Sequence, residues 1–154
     1  MPRILLICTA NVCRSPLAQG LLKKKLADQG MGEEWVVSSA GSWTEGGVPV
    51  DPLVRDILAE RWIKAREWRS REVTEEMLAE ADLVLTMEAG HQEALQVEFP
   101  EQADKVYMLS ELEGERVNVI DPVGDDDGKY HEALGVIEGY LEGAVEKMKE
   151  LMAR

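Results

Sequence analysis

The sequence predicts a single α/β domain with a four-stranded parallel sheet and helices on both faces. Short, continuous apolar runs, which are typical of strands buried on both faces, alternate along the chain with segments of helical spacing. No internal repeat, linker or low-complexity stretch divides the chain. A chain of 154 residues is long enough for one domain with a sizeable core, so we assign residues 1–154 to a single domain.

The first strand and the first helix follow directly from the N-terminus. Residues 3–8, RILLIC, form a continuous apolar run and predict a central strand. Ser15 as N-cap and Pro16 at the first helical position predict the start of a helix, and Gly30 predicts its C-cap. The loop between this strand and this helix therefore lies at the carboxyl end of the sheet, where such folds bind ligands.

A second strand and helix repeat this pattern. Residues 34–39, EWVVSS, predict a strand, and the glycine-rich residues 40–50 predict a loop. Asp51 and Pro52 again combine a capping residue with a proline, and they predict a helix that continues through Trp62.

The C-terminal half continues the alternation of strands and helices. Thr74 predicts the N-cap of a short helix, residues 82–87 (DLVLTM) a third strand, and residues 105–109 (KVYML) a fourth. A helix near residues 91–97 separates these two strands, and residues 110–129 have no regular pattern. Apolar residues at helical spacing then predict one long amphipathic helix: Ala133, Leu134, Ile137, Tyr140, Leu141, Ala144, Val145, Met148 and Leu151, with Tyr130 at its start.

Charge and composition exclude several classes of function. Thirty acidic and 17 basic residues give a formal net charge of −13, which argues against a nucleic-acid surface. A site for an anion would have to create its own positive field. No apolar run approaches the roughly 20 residues that cross a bilayer. The N-terminus does not resemble a signal peptide either, so we expect a cytoplasmic protein without membrane contact.

The most informative stretch is the loop CTANVCRS, residues 8–15. Backbone N–H groups in such a loop converge on an anion, and the following helix adds its positive dipole end. We expect the guanidinium of Arg14 to bind a phosphate together with the loop amides. The same field favours the thiolate of Cys8, which would attack phosphorus in line and form a phosphocysteine. The amides that we assign to phosphate binding are those of Thr9, Ala10, Asn11, Val12, Cys13 and Arg14.

Alternatives remain open for the same loop. It could bind phosphate without any chemistry, or Cys8 and Cys13 could form a thiol redox switch, although their spacing differs from Cys-x-x-Cys. A metal centre is disfavoured because His91 and His131, the only histidines, leave the residues short of a zinc-binding set. We therefore expect neither a metal nor another cofactor.

The pattern Cys8-x5-Arg14-Ser15, within CTANVCRSP, resembles the signature loop of the low-molecular-weight protein tyrosine phosphatases. The resemblance covers the whole chain, because the loop follows the first strand and the size and element order also match. It implies a flavodoxin-like, phosphotyrosine phosphatase type I three-layer fold. It also implies hydrolysis of phosphotyrosine in a phosphorylated protein or peptide, through a phosphocysteine and without a cofactor. We expect a monomer or a weak homodimer.

The resemblance assigns roles to further residues. Asp121, in an Asp-Pro pair before the last helix, would be the general acid and then the general base. Asn11, Ser15 and Ser39 match residues that support the loop, and the Ser15 hydroxyl would stabilise the thiolate. Arg71 matches a structural arginine.

The chain departs from the family pattern at several positions. Ala10 replaces a common loop glycine, which requires a negative φ, and Trp68 stands where many members carry a histidine that holds the loop asparagine. Val123 and Gly124 lie where eukaryotic members have the tyrosines of the substrate cleft. Trp43 could supply an aromatic wall of that cleft instead, or it could be an ordinary exposed loop residue.

The resemblance leaves two substrates open. Bacterial arginine phosphatases share the signature and resemble this chain around Asp121-Pro122-x-Gly124, but they typically carry threonine where this cleft has Val12. An apolar Val12 is more similar to the tyrosine-directed members. Arsenate reductases of this fold need a further cysteine, which this chain lacks. We predict instead that Cys13 acts as a redox partner and resolves an oxidised Cys8 as a disulfide.

Overall fold

A parallel sheet of four strands forms the centre of the computed structural model, which describes residues 1–122 and 127–154. The strands are β1 (Arg3–Cys8), β2 (Val36–Gly41), β3 (Leu83–Thr86) and β4 (Val106–Met108), in the order β2-β1-β3-β4. Every neighbouring pair is parallel, so the carboxyl ends of all four strands meet at one edge. The predicted fold class is confirmed.

Helices cover both faces of this sheet. The α-helices are α1 (Arg14–Asp28), α2 (Pro52–Ala59), α3 (Glu75–Glu80), α4 (Ala89–Glu98), α5 (Asp127–Leu141) and α6 (Ala144–Met152). Short 3-10 helices occupy Pro100–Lys105 and Leu109–Glu113. Asp51 caps α2 by accepting a hydrogen bond from Leu53 N, and Thr74 caps α3 by accepting one from Met77 N, as the sequence predicts. Among the described residues, no helix combines the length and the apolar character that a membrane crossing needs.

Strand β1 divides its side chains between two hydrophobic cores. Ile4, Leu6 and Cys8 belong to the larger core, under α1, α2, α5 and α6, whereas Leu5 and Ile7 belong to the smaller core, under α3 and α4. This alternation is the two-residue period of a strand. It places the Cys8 side chain on the same face of the sheet as α1.

Several predicted element boundaries are wrong. Helix α2 ends at Ala59 rather than at Trp62, and β3 and β4 are each shorter by one residue at both ends than the sequence predicts. The long C-terminal helix is two helices, because the chain leaves the helical conformation at Gly143 (φ −104°, ψ 23°), where glycine has little helical preference. The apolar spacing continues across this break, since Leu141, Ala144 and Met148 pack in the same core. Strand β2 runs from Val36 to Gly41 rather than over 34–39, because its backbone pairs with β1 as far as Cys8.

Candidate active site

The loop that joins β1 to α1 folds back over the side chain of Cys8. Asn11 has a positive φ of 62°, and its backbone N–H lies 3.3 Å from Cys8 Sγ. Ala10 is not among the described residues with positive φ, so an alanine can replace the family's common glycine at this position without backbone strain. The end of β2 packs directly behind this loop, since a Cβ on Gly41 would lie 2.6 Å from Thr9 O. Glycine at position 41 therefore permits the close approach.

The thiol of Cys8 is buried and hydrogen-bonded to Ser15. Cys8 Sγ lies 3.0 Å from Ser15 Oγ, which itself accepts a hydrogen bond of 2.9 Å from Asn11 Nδ2. Because Ser15 accepts from Asn11, its own hydroxyl hydrogen is available to the sulfur. The Ser15 hydroxyl and the Asn11 amide are therefore both placed to donate to the sulfur.

Ser15 is not the N-cap that the sequence predicts. Helix α1 begins at Arg14, its N-cap position is Cys13, and no side chain caps it. The Ser15 hydroxyl lies at the sulfur and at Asn11 instead, so it contributes to the site rather than to the end of the helix.

Asn11 connects the loop to β2 and to the segment after it. Its Oδ1 accepts from Arg71 N at 3.0 Å, so its Nδ2 must face Ser15 and Ser39, where it donates over 2.9 Å to each Oγ. Arg71 Nε in turn donates to Ser39 O at 2.9 Å. The structure therefore brings together the loop asparagine, both serines and the arginine that the sequence singles out.

Gln19 extends this network and was missed at the sequence level. Ser39 Oγ donates to Gln19 Oε1 at 2.6 Å, which connects Gln19 to Asn11 through Ser39. Gln19 lies four residues after Ser15, so helical periodicity alone places the two on one face of α1. Trp68, where the resemblance implies a histidine that holds the loop asparagine, packs against the hydrophobic core.

Arg14 is almost fully buried, with 2% of its surface exposed, and is held by three groups. Nη1 donates to Glu88 Oε2 at 2.5 Å and to Val119 O at 2.7 Å, and Nη2 donates to Thr9 Oγ1 at 3.3 Å. Its Nε–H and one Nη2–H have no hydrogen-bond partner among the described residues. These neighbouring N–H groups form the side of a guanidinium that binds two oxygens of one phosphate.

Glu88 is a site residue that the sequence analysis did not identify. It lies two residues after the end of β3, and β3 is the neighbour of β1 in the sheet. The carboxyl ends of adjacent parallel strands meet at one edge of the sheet. An acidic residue shortly after the third predicted strand could therefore have been recognised as a candidate partner for Arg14.

Asp121 lies beside Arg14, with Oδ2 3.8 Å from Nη2 and its side chain 47% exposed. The segment before it is held at Val119, whose N–H donates to Met87 O at 2.8 Å and whose carbonyl accepts from Arg14. Val123, the predicted cleft residue of this segment, lies outside the described residues, as do Gly124 and Asp126.

The loop after β2 borders the same site. Ser42 N donates to Cys8 O at 2.9 Å and Trp43 N donates to Thr9 O at 3.0 Å, while the Trp43 side chain is 80% exposed. Val12 is half-buried, and its carbonyl accepts from Asp51 N at 2.9 Å. The loop thus carries the isopropyl group of Val12 and is bordered by the segment that carries the exposed indole of Trp43.

Cys13 is buried and, like Cys8, is a free thiol. Burial raises the pKa of Cys13 far above its ordinary value, and the nearby charge of Asp51 raises the pKa further. Within the described residues, no group of three or more His, Cys, Asp or Glu side chains is arranged to hold a metal ion.

His91 is a further residue of the site that the sequence analysis did not identify. Its Nε2 lies 2.9 Å from Thr9 Oγ1, beside Arg14. Burial lowers the pKa of His91 below 6.5, and the charge of Arg14 lowers it as well, while Glu88 opposes this change. His91 is therefore neutral at pH 7.

Comparisons with known proteins agree with this geometry. Residues 3–153 match the family model described as low molecular weight phosphotyrosine protein phosphatase. The chain is 30% identical to a probable low molecular weight protein-tyrosine-phosphatase, EpsP, of Ralstonia nicotianae, over 96% of this chain and 97% of that protein. It is 34% identical to a protein-arginine-phosphatase of Geobacillus stearothermophilus, over 96% of each chain.

Solved structures give the same result. The crystal structure of a low molecular weight protein tyrosine phosphatase from T. tengcongensis superposes with a TM-score of 0.88 at 33% identity, over 96% of this chain and 99% of that one. A mutant of YwlE from Bacillus subtilis superposes with a TM-score of 0.88 at 30% identity, over 97% and 99% of the two chains. With a cysteine, an arginine and a braced loop in this arrangement, the chain belongs to the family of low molecular weight phosphotyrosine protein phosphatases.

Proposed function

We propose that this protein hydrolyses phosphotyrosine in proteins through a phosphocysteine on Cys8. The observation that supports this best is the position of Cys8 Sγ, which is hydrogen-bonded at 3.0 Å to Ser15 Oγ and at 3.3 Å to Asn11 N. The sulfur is held as a nucleophile within a loop whose other amides and Arg14 can bind the phosphoryl oxygens. Attack by Sγ forms the S–P bond while the bond from phosphorus to the tyrosine oxygen breaks.

Asp121 supplies and then removes the protons of this reaction. Its carboxylic acid protonates the leaving phenolic oxygen, and the resulting carboxylate takes a proton from the water that attacks the phosphocysteine. The S–P bond then breaks, which returns the Cys8 thiolate and releases inorganic phosphate. The place of Asp121 beside Arg14, with half of its side chain exposed, supports this assignment.

Arg14 and the loop amides stabilise the transition state. The free Nε–H and Nη2–H of Arg14 would bind two equatorial oxygens, and Glu88 and Val119 fix the guanidinium from its other side. Because these donors are held in place before substrate binds, little reorganisation is needed during the reaction. The same preorganisation explains how a chain of net charge −13 binds an anion.

The surroundings of the loop favour an aromatic leaving group. Trp43 is exposed next to Thr9, and Val12 presents an apolar side chain, so a phenyl ring would meet two apolar surfaces. The N–H donors of a phosphorylated guanidinium would find no polar partner at Val12.

Protein arginine phosphatase activity is the second candidate. The observation that favours it is the 34% identity to the protein-arginine-phosphatase of G. stearothermophilus, which exceeds the 30% identity to the Ralstonia tyrosine phosphatase. We expect wild-type kcat/KM on a phosphotyrosine peptide to exceed that on the matched phosphoarginine peptide by about tenfold or more, as one well-placed contact can provide. A preference for phosphoarginine would refute the tyrosine assignment.

Variants at position 12 identify the cause of the preference. Val12→Thr adds a hydroxyl at nearly constant volume and should move the preference toward phosphoarginine, whereas Val12→Ile keeps the site apolar and should not. Cys8→Ser should abolish turnover of both peptides while phosphate binding persists. Residual activity within about tenfold of wild type would exclude a phosphocysteine, because the serine hydroxyl is a much weaker nucleophile than the thiolate.

A further inference from the structure

His91 occupies an unusual position for a buried histidine. It lies in the first turn of α4, is 8% exposed, and its Nε2 contacts Thr9 Oγ1 at 2.9 Å. Its other ring nitrogen, Nδ1, is fully buried and lacks a hydrogen-bond partner among the described residues. A merely structural histidine would have both nitrogens satisfied or exposed to water.

The unpartnered Nδ1 decides which way the hydrogen bond to Thr9 runs. If Nδ1 carried the proton, a buried N–H donor would lack an acceptor, which costs more than an unused lone pair. The favoured tautomer therefore carries its proton on Nε2 and donates to Thr9 Oγ1. Arg14 Nη2 donates to the same oxygen at 3.3 Å. Thr9 Oγ1 thus accepts two hydrogen bonds, and its own hydrogen is free for a third group.

We propose that His91 is a positioning residue of the phosphatase reaction, which holds the Thr9 hydroxyl so that its hydrogen points to the phosphoryl group and its oxygen supports Arg14. This inference rests on the proposed function, because it assumes that the loop binds a phosphoryl group. Thr9 directly follows Cys8, so its hydroxyl would add a side-chain donor to the amides of the loop. His91 acts only through Thr9 and Arg14 and contacts no reacting atom.

The first test is a kinetic double-mutant cycle with an aryl phosphate. His91→Leu removes the donor and Thr9→Val removes the hydroxyl, and each should lower kcat/KM about 10- to 100-fold, the range for losing a hydrogen bond to a charged group. Adding His91→Leu to Thr9→Val should cost nothing further, since both changes break the same connection. Fully additive losses, or His91→Leu within about twofold of wild type, would overturn the proposal.

Conservative variants separate positioning from folding. The amide of His91→Gln can still donate from a similar place, and Thr9→Ser keeps the hydroxyl, so both should retain activity to within about threefold of wild type. If His91→Gln is as impaired as His91→Leu while its melting temperature equals that of wild type, the donor role is wrong. Should His91→Leu fail to fold, the Thr9 variants and the tautomer measurement below still test whether His91 positions the Thr9 hydroxyl.

The tautomer itself can be observed in the unmodified protein. Long-range proton–nitrogen correlation spectra distinguish Nε2–H from Nδ1–H, and the two histidines are assigned with the variant His131→Asn. We expect the Nε2–H form at His91. An Nδ1–H form would mean that Thr9 donates to the histidine, and the proposed orientation of the hydroxyl would be wrong.

Phosphate binding separates this inference from the proposed function. In the Cys8→Ser background, calorimetry should show that His91→Leu weakens the binding of inorganic phosphate about three- to tenfold. Unchanged affinity would overturn the role of His91 even if the phosphocysteine mechanism holds. Weakened affinity in this background, combined with a failure of the protein with intact Cys8 to form a phosphocysteine during turnover, would instead reject the mechanism and keep the role of His91.

Discussion

Glu88 Oε2 accepts a hydrogen bond of 2.5 Å from Arg14 Nη1, which joins the first residue of α1 to the residue that precedes α4. Arg14 is 2% exposed and Glu88 is 36% exposed, so the pair joins a buried cation to a carboxylate that still contacts water. The contact holds one edge of the guanidinium and leaves the opposite edge for a ligand.

We expect Glu88→Ala to lower kcat/KM by about 10- to 100-fold, because Arg14 loses the partner that fixes its orientation. The variant should also lose about 1–3 kcal/mol in the free energy of unfolding, the cost of leaving one N–H group of the buried guanidinium without its acceptor. Steady-state kinetics and chemical denaturation measure the two effects.

Glu88→Gln is the matched control, since its amide oxygen can still accept from Nη1. It should retain more activity than Glu88→Ala and lose less stability. Equal losses in both variants would show that the negative charge, rather than the fixed geometry, is what Glu88 supplies.

Asp121→Asn should slow turnover of phenyl phosphate by about 100- to 10,000-fold, the usual range for a positioned acid–base group. The loss should be smaller for p-nitrophenyl phosphate, whose leaving group needs little protonation. Asp127→Asn, at the start of α5, is the control and should change little. A larger loss in the control than in Asp121→Asn would move the general acid to Asp127.

The stability of the protein should decrease in acid partly through His91. Burial lowers the pKa of His91 in the folded state below 6.5, its value in the unfolded chain, with a smaller contribution from Arg14 and an opposing one from Glu88. Above pH 6.5 both states are neutral there; below it the unfolded chain binds the proton first, so stability falls as the pH falls. The loss levels off below the folded-state pKa.

His91→Gln removes this titration and provides the comparison. The difference in unfolding free energy between wild type and His91→Gln, measured by urea denaturation from about pH 8 to pH 5, should shift against wild type as the pH falls. A difference that stays constant across this range would mean that His91 titrates alike in both states.

The sequence predicts the parts of this site that are local in the chain. The loop from Cys8 to Ser15 is contiguous, and a strand before it and a proline after it define its place in the fold. Asp121 is a candidate only through the family resemblance, because the same dipeptide occurs at Asp51-Pro52, where Asp51 is the N-cap of α2. Position in the family pattern, rather than local chemistry, distinguishes the two.

The parts that the sequence misses are long-range. Glu88 lies 74 residues from Arg14 and His91 lies 82 residues from Thr9, so only the order of the strands brings them to the loop. Ser15 shows a different limit of sequence-based prediction. Serine before proline is a common capping pattern, but here the hydroxyl is hydrogen-bonded to the buried sulfur of Cys8 instead of capping the helix. The capping preference of a residue is overridden where its side chain makes a tertiary hydrogen bond to a buried polar group.

The last prediction concerns Cys13, the second thiol of the loop. Peroxide converts the Cys8 thiolate to a sulfenic acid, and condensation with the Cys13 thiol would form the S–S bond and release water. Burial and the charge of Asp51 raise the pKa of Cys13, so little thiolate is present at pH 7 and the condensation should quicken as the pH rises. After peroxide and then dithiothreitol, wild type should regain activity, and the recovered fraction should increase with the pH of the peroxide step. Cys13→Ser and Cys13→Ala should stay inactive, because their sulfenic acid has no resolving thiol and proceeds to the sulfinic acid. Equal recovery in wild type and both variants would leave Cys13 as a packing residue of the core.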